Sequence, residues 1–375
     1  IAELGQLLFD GRVGVSLFTA LCIAAIYLLT RLSFGPRVAV LGLGLIALDP
    51  FYLALSRVLH VDAVLASLMT VSILAIVAAL RRSRPRAGRL GLLALSGIAG
   101  GLATLQKSPA LFLMPWTALL LTTYAWGEGV SRRALVRAGR DLVVWTLIVV
   151  VVYVALWPAM WADPLGTIER VVDKAIGYAE EGHEAGNYFL GRPVQDPGWG
   201  YYPVATLFRM SPLVLMGLIG ALFSLARDRE PGKPRFEVAA LLLYSVLFGA
   251  FMSLGSKKFD RYLLPVFPAL GIVAAVGLAD LAEVLHKRLT TPASRSLSLY
   301  APLSVIAVLV QGALALAHYP HYLTYYNPLL GGLAGARDAL VVGWGEGYEE
   351  AAAYLNGESN AAELEVAVPT FTAFA

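Results

Sequence analysis

Cysteine is nearly absent from this chain. Cys22 is the single one in 375 residues, so no intrachain disulfide can staple the fold. Charge is scarce too: Asp, Glu, Lys and Arg make up 15% of the residues, against roughly 25% in an average soluble chain. The net formal charge is only +3, and the basic residues are scattered among loops. Neither a basic stripe nor a polybasic tail is available for nucleic acid. Low-complexity tracts and strong internal repeats are also missing, which argues against linkers and solenoids.

Apolar length is what the chain has in abundance, with 58% hydrophobic residues. About ten runs of roughly 16–24 residues reach the span of a bilayer core. They cover approximately 13–30, 38–54, 62–80, 90–106, 109–125, 141–158, 204–226, 236–254, 262–285 and 299–317. The expected fold is therefore mostly α, a polytopic membrane helix bundle. Basic residues cluster in alternate loops: Arg31 and Arg37; Arg81 to Arg89; Arg132 to Arg140; Arg227 to Arg235; His286 to Arg295. These hold about eighteen of the Lys and Arg and, by the positive-inside rule, face the cytoplasm. The outer side then receives 56–61, 107–109, the long loop 159–203, the loop 255–261 and everything after 318. Residues 1–12 fall on the outer side ahead of the first run, so an earlier helix and its following loop are expected upstream.

Two domains follow: a membrane module over 1–317 and an extracytoplasmic α/β segment over 318–375. Within the loop 159–203, Asp163-Pro164 reads as a helix start. Leu165, Ile168, Val172 and Ile176 then recur at helical spacing, which predicts an amphipathic helix on the outer leaflet. In the last segment, Ala339–Val342 and Leu364–Val368 read as short strands and Tyr348–Leu355 as a helix. Between them, Val342-Gly-Trp-Gly-Glu-Gly347 has spacing G-x-G-x-G. That departs from the dinucleotide fingerprint and reads as a tight strand-to-helix turn.

Chemistry-bearing residues are few, and each has two readings. Lys257-Lys258-Phe259-Asp260-Arg261-Tyr262 joins two apolar runs at a membrane mouth, either to bind an anionic headgroup or as a loop of snorkelling cations. Lys107, between two spans, offers the same choice. Asp62 opens an apolar run, as a site carboxylate paired with Arg57 or as a helix N-cap. His60 reads as a solvated loop residue, Asp49 as a helix-end residue, and His318 and His321 as interfacial. Glu180, Glu181, His183 and Glu184 could ligate a metal, yet no second His or Cys completes a set, so a solvated acidic face is the better reading.

Three ordered segments carry a family resemblance: ALDPFYLALSRVLHVDAVLASLMTVSIL at 47–74, GIAGGLATLQKSPALFLMP at 97–115 and SKKFDRYLLPVFPALGIVAAVGLADL at 256–281. They resemble the lipid-linked-sugar glycosyltransferases of the C-type fold (GT-C), in particular the dolichyl-phosphate-mannose–protein mannosyltransferases, the aminoarabinose transferases and the RgtA/B/C/D-like proteins. The tail HYPHYLTYYNPLLGG with VGWGEGYEEAAAYLN is similar to one prokaryotic branch. The resemblance implies sugar transfer, inverting at the anomeric carbon, from a polyprenyl-phosphate donor to an acceptor at the extracytoplasmic face. It implies Asp62 as a second site carboxylate and Lys107, Arg261 and Lys258 as phosphate partners; Arg57 and Tyr262 join them as candidate substrate-binding residues. The family's general base lies in a first outer loop, which falls before residue 1. No cofactor is assigned, and a divalent cation is compatible. A transporter, flippase or glycan ligase is the alternative, but transporters gather charge near the midplane, whereas these charges gather at the mouth.

Overall fold

The computed structural model describes residues 2–81, 85–127, 129, 131–180, 186–227, 234–289 and 299–366. Among them, seven helices are long and apolar enough to cross a membrane, and up to nine spans result if each of two bent pairs counts as one. With the shorter helix Tyr300–Leu316, these account for the ten runs. In chain order the spans are Ala2–Phe34, the pair Pro36–Ala47 and Pro50–Ser56, Asp62–Ala79, Arg86–Gln106, Ser108–Gly127 and Arg132–Leu156. Then follow the pair Tyr201–Arg209 and Pro212–Arg227, Arg235–Ser253, Asp260–Leu289 and Tyr300–Leu316.

Both bends have a visible cause. Pro50 and Pro212 cannot donate a backbone hydrogen bond, so each opens a new helix instead of continuing the old one. The first pair turns by 65° and the second by 115°. Asp49 caps the new helix, its Oδ1 accepting from the Tyr52 amide at 2.8 Å. That is the helix-end role read from sequence.

Asp62–Ala79 is the axis of the bundle, buried along its whole length. A helix that is apolar on every side has to be surrounded. The first part of Phe267–Leu289 is buried in the same way. Elsewhere small residues let backbones close up, as membrane helices require. A Cβ on Gly277 would lie 1.9 Å from the Gly217 carbonyl oxygen and 2.4 Å from the Ala221 amide nitrogen. The helices Pro212–Arg227 and Phe267–Leu289 therefore touch backbone to backbone.

The basic loops and the site loops gather at opposite ends. At one end Arg81 bonds the Ser33 carbonyl and pairs with Glu237 at 3.7 Å, Arg89 and Arg140 flank Asp141, and Arg37 stacks on Tyr300. Arg82, Arg84, Arg229, Lys233 and Arg295 lie outside the described residues. At the other end meet 57–62, 107–109, 187–200, 255–262 and the tail. The amphipathic helix forms over Pro164–Glu180, with Asp163 capping the Gly166 amide at 3.0 Å. Leu165, Ile168, Val172 and Ile176 form an exposed apolar stripe along it. A hairpin follows, Asn187–Phe189 against Arg192–Val194.

The tail departs from its strand–helix–strand expectation. Tyr348–Asn356 is a helix, but the first strand shrinks to one bridge between Leu340 and Phe189. Residues 364–366 are not a strand, and 367–368 lie outside the described residues. The contact is brief, adding only a bond from the Leu190 amide to the Ala339 carbonyl at 3.0 Å. Instead of standing apart, Tyr322, Leu323, Tyr326, Ala336 and Leu340 pack into the same core as the membrane helices.

Candidate active site

Asp62 is the residue on which the mouth converges. It occupies the first turn of its helix, behind Val61 as the N-cap, where the helix dipole favours a carboxylate. The N-cap reading is thus off by one residue. Its side chain is 3% exposed, and Oδ1 accepts from the Lys107 ammonium at 2.9 Å. Arg261 Nε stands 3.4 Å from Oδ2. The angle is too poor for a hydrogen bond, so both Asp62 Oδ2 and Arg261 Nε remain without a hydrogen-bond partner.

Each cation is placed by a local break in helix geometry. Arg86–Gln106 ends at Lys107, whose extended backbone (φ −167°, ψ 145°) precedes the 3₁₀ turn Ser108–Phe112. Pro109 has no amide proton to donate back to the Leu105 carbonyl, so the helix cannot run on unbroken. Arg261 lies in the 3₁₀ segment Asp260–Val266, which contains Pro265. Aromatic rings hold both side chains: the Lys107 ammonium lies 4.4 Å from the Tyr262 ring centre. The Arg261 guanidinium lies 4.6 Å from Phe259, 5.5 Å from Tyr262 and 4.4 Å from Trp344. Such contacts orient a cation without neutralising it.

His60 completes the group. Its Nδ1 lies 3.3 Å from both the Asp62 amide nitrogen and Asp62 Oδ2. Burial lowers the imidazole below its ordinary value; Asp62 opposes this, and Arg261 and Lys107 reinforce it. Two cations thus face one carboxylate, and the cluster retains a net positive charge suited to an anion.

The other anticipated residues stand elsewhere. Arg57 does not meet Asp62; it lies over the rings of Tyr322 at 5.0 Å and Tyr319 at 6.0 Å. Lys258 is fully buried, bonding Asp196 at 2.6 Å and the Gly255 carbonyl at 2.5 Å, while its own carbonyl accepts from Asn187 at 2.9 Å. Burial alone would raise the Asp196 carboxyl, but the bonds from Lys258 and the Gly198 amide hold it below the usual range. Lys258 therefore ties the hairpin loop to the 255–261 loop. The acidic group Glu181, His183 and Glu184 lies outside the described residues, as does the Glu180 side chain.

Sequence reasoning missed Arg209. It is 1% exposed and pairs with Asp260 at 2.7 Å. It also bonds the carbonyls of Leu323 at 2.7 Å and Tyr325 at 2.8 Å and the Tyr326 hydroxyl at 2.9 Å. Its signal was available: a lone Arg inside the apolar run 204–226, where a charge has to find a partner. Also missed was the association of His321 with Glu349 and Glu350, whose ligand-type atoms lie within 4.8 Å of one another. That group could hold a metal ion. Beside it a cavity of about 530 Å³ opens between the first helix, Arg57, the tail and Trp344.

The fold is that of the polytopic GT-C glycosyltransferases of the protein-mannosyltransferase and ArnT type. Residues 1–157 match the dolichyl-phosphate-mannose-protein mannosyltransferase family. ArnT from Cupriavidus metallidurans, solved with undecaprenyl phosphate, aligns with TM-score 0.52 and 17% identity over 82% of this chain and 56% of that one. The Archaeoglobus fulgidus oligosaccharyltransferase in its apo form aligns with TM-score 0.54 and 16% identity over 95% and 48%. The same organism's oligosaccharyltransferase AglB, with an inhibitory peptide and a dolichol-phosphate, gives 0.51 and 16% over 92% and 47%. The chain thus spans about half the length of these structures. No curated protein matches it.

Proposed function

We propose that the chain is the membrane part of a glycosyltransferase that moves a sugar from a polyprenyl-phosphate donor to an acceptor. The observation that carries this reading is the meeting of Lys107 and Arg261 on Asp62 at one bundle end. The donor phosphate binds there, Arg261 offering its planar fork and Lys107 a point charge. Asp62 keeps the two cations in place when no donor is bound. Attack by an acceptor hydroxyl forms the new C–O bond, and the anomeric C–O bond to phosphate breaks. The electron pair leaves with the lipid phosphate, whose growing charge the cations stabilise. Fixed cations take the place of a general acid, while a base outside this set takes the acceptor proton.

Residues 1–317 form the membrane module and 318–375 the outer segment of this reading. The mouth faces the extracytoplasmic side, supported by the basic residues at the other end. The exposed stripe Leu165, Ile168, Val172 and Ile176 suits a helix lying on the leaflet. His321, Glu349 and Glu350 suit a divalent cation, which would add positive charge at the cavity rim. A transporter is disfavoured because the charges sit at the mouth.

The test is donor binding and transfer by the purified protein. Arg261→Ala removes a charge-assisted contact worth about 1.5–3 kcal/mol, so donor affinity falls by about 10- to 100-fold. Unchanged affinity in a folded variant would sink the phosphate assignment.

A further inference from the structure

The Gly343–Gly347 turn adjoins the phosphate site, with Trp344 against Arg261. Gly343, Gly345 and Gly347 take φ of 90°, 92° and 87°, values that side-chain-bearing residues rarely adopt. The backbone coils so tightly that the Trp344 amide donates to Glu346 Oε2 at 2.5 Å. This fixes two neighbouring side chains. Trp344 lies 4.4 Å from the Arg261 guanidinium and also lines the 530 Å³ cavity. Glu346 lines the cavity too, and its Oε1 is buried without a hydrogen-bond partner. A buried carboxylate oxygen left unsatisfied asks for a ligand donor.

Resting on the phosphate reading above, we propose that this turn is the subsite for the donor's glycosyl group. A sugar esterified to a phosphate held at Arg261 has to lie next to that guanidinium, and Trp344 is the adjoining wall. An indole presents a flat apolar surface to the C–H face of a pyranose, and Glu346 Oε1 accepts one of its hydroxyls. The cavity is within the usual size of small-molecule sites, about 300–1,000 Å³. Arg12 and Arg57 on its lining are offset by Glu346 and Glu349, with His321 beside them, and these polar groups suit the hydroxyls of a sugar. Trp344 and Glu346 are therefore specificity-determining residues for the sugar, while Lys107 and Arg261 read only the phosphate.

The experiment compares undecaprenyl phosphate with its mannosyl and glucosyl esters as ligands of the chain in detergent. Glu346→Gln and Glu346→Ala, each checked for an unchanged melting temperature, are expected to weaken at least one glycosyl ester about tenfold. Bare undecaprenyl phosphate should bind within about twofold of the wild type, since each 1.4 kcal/mol is a factor of ten. Arg261→Ala serves as the reference, weakening bare and glycosylated lipid alike. If Arg261→Ala changes neither, the phosphate reading fails whatever the turn variants do. The subsite is overturned if the turn variants weaken bare and glycosylated lipid equally, since the turn then merely props Arg261. It is also overturned if they weaken neither ligand, or if they raise only the KM for acceptor.

Discussion

Asp260 and Arg261 are adjacent in the chain yet serve two opposite kinds of charged cluster. Asp260 pairs with Arg209, whose guanidinium also satisfies two carbonyls and a tyrosine hydroxyl. Arg261 stands beside Asp62 with Nε unbonded, and Asp62 Oδ2 is equally unbonded. Both clusters are largely buried, so burial does not separate them. Saturation does: a fully bonded charge has nothing left to offer a ligand and holds the fold, whereas an under-bonded one is poised to bind. The Asp260 Oδ1 that accepts the Arg261 amide at 2.7 Å fastens the second kind of site to the first.

Separating the two functions by mutation tests this contrast. The largest effect is expected for Arg209→Met. It leaves Asp260 uncompensated and two carbonyls unpaired, and breaking a buried pair costs about 3–5 kcal/mol. The measurement is the melting temperature in detergent, which should fall sharply or show no folded species; an unchanged midpoint would contradict a structural role. Arg261→Lys sits in the middle. It keeps the charge and loses the fork, so donor affinity should drop by about tenfold or less while the melting temperature stays put. A melting shift as large as that of Arg209→Met would erase the distinction.

The smallest effect concerns the tail. The bond to Glu350, foremost, raises the His321 imidazole above its ordinary 6.5, and the same bond lowers the Glu350 carboxyl below 4.5. The His321 contribution is complete below 6.5 and fades as pH climbs through the raised value. The Glu350 contribution is complete above 4.5 and fades as pH drops through the lowered one. Docking of Tyr348–Asn356 onto His321 should therefore be tightest between these values. The protection factor for amide exchange of that helix, corrected for the intrinsic base-catalysed rate, should be highest near pH 5.5 and lower at 8; a protection factor independent of pH would mean the contact adds nothing.

Much of this was readable in the residues. Apolar length gave all ten runs, and the alternation of basic loops assigned them to two ends. Lys107, Arg261 and Asp62 stood out because charge at a span boundary needs a reason. Pairing was not readable, because it depends on which hairpins neighbour one another; Arg57 was the nearest cation to Asp62 in sequence and is not its partner. The bends at Pro50 and Pro212 were signalled by proline, yet hydropathy averages over them. Glu346 and Trp344 looked like turn residues, and only the tail's return to the mouth gives them a cavity to line.

The Gly217–Gly277 crossing has a mechanical corollary. With no side-chain layer between the two backbones, there is no cushion on which one rod could glide past the other. Phe267–Leu289 is welded to its neighbour midway along, and the 3₁₀ segment bearing Arg261 is its direct extension. Arg261 is thereby mounted on a stiff strut, and relative movement at this end has to come from the hairpin, residues 318–328 or the tail turn.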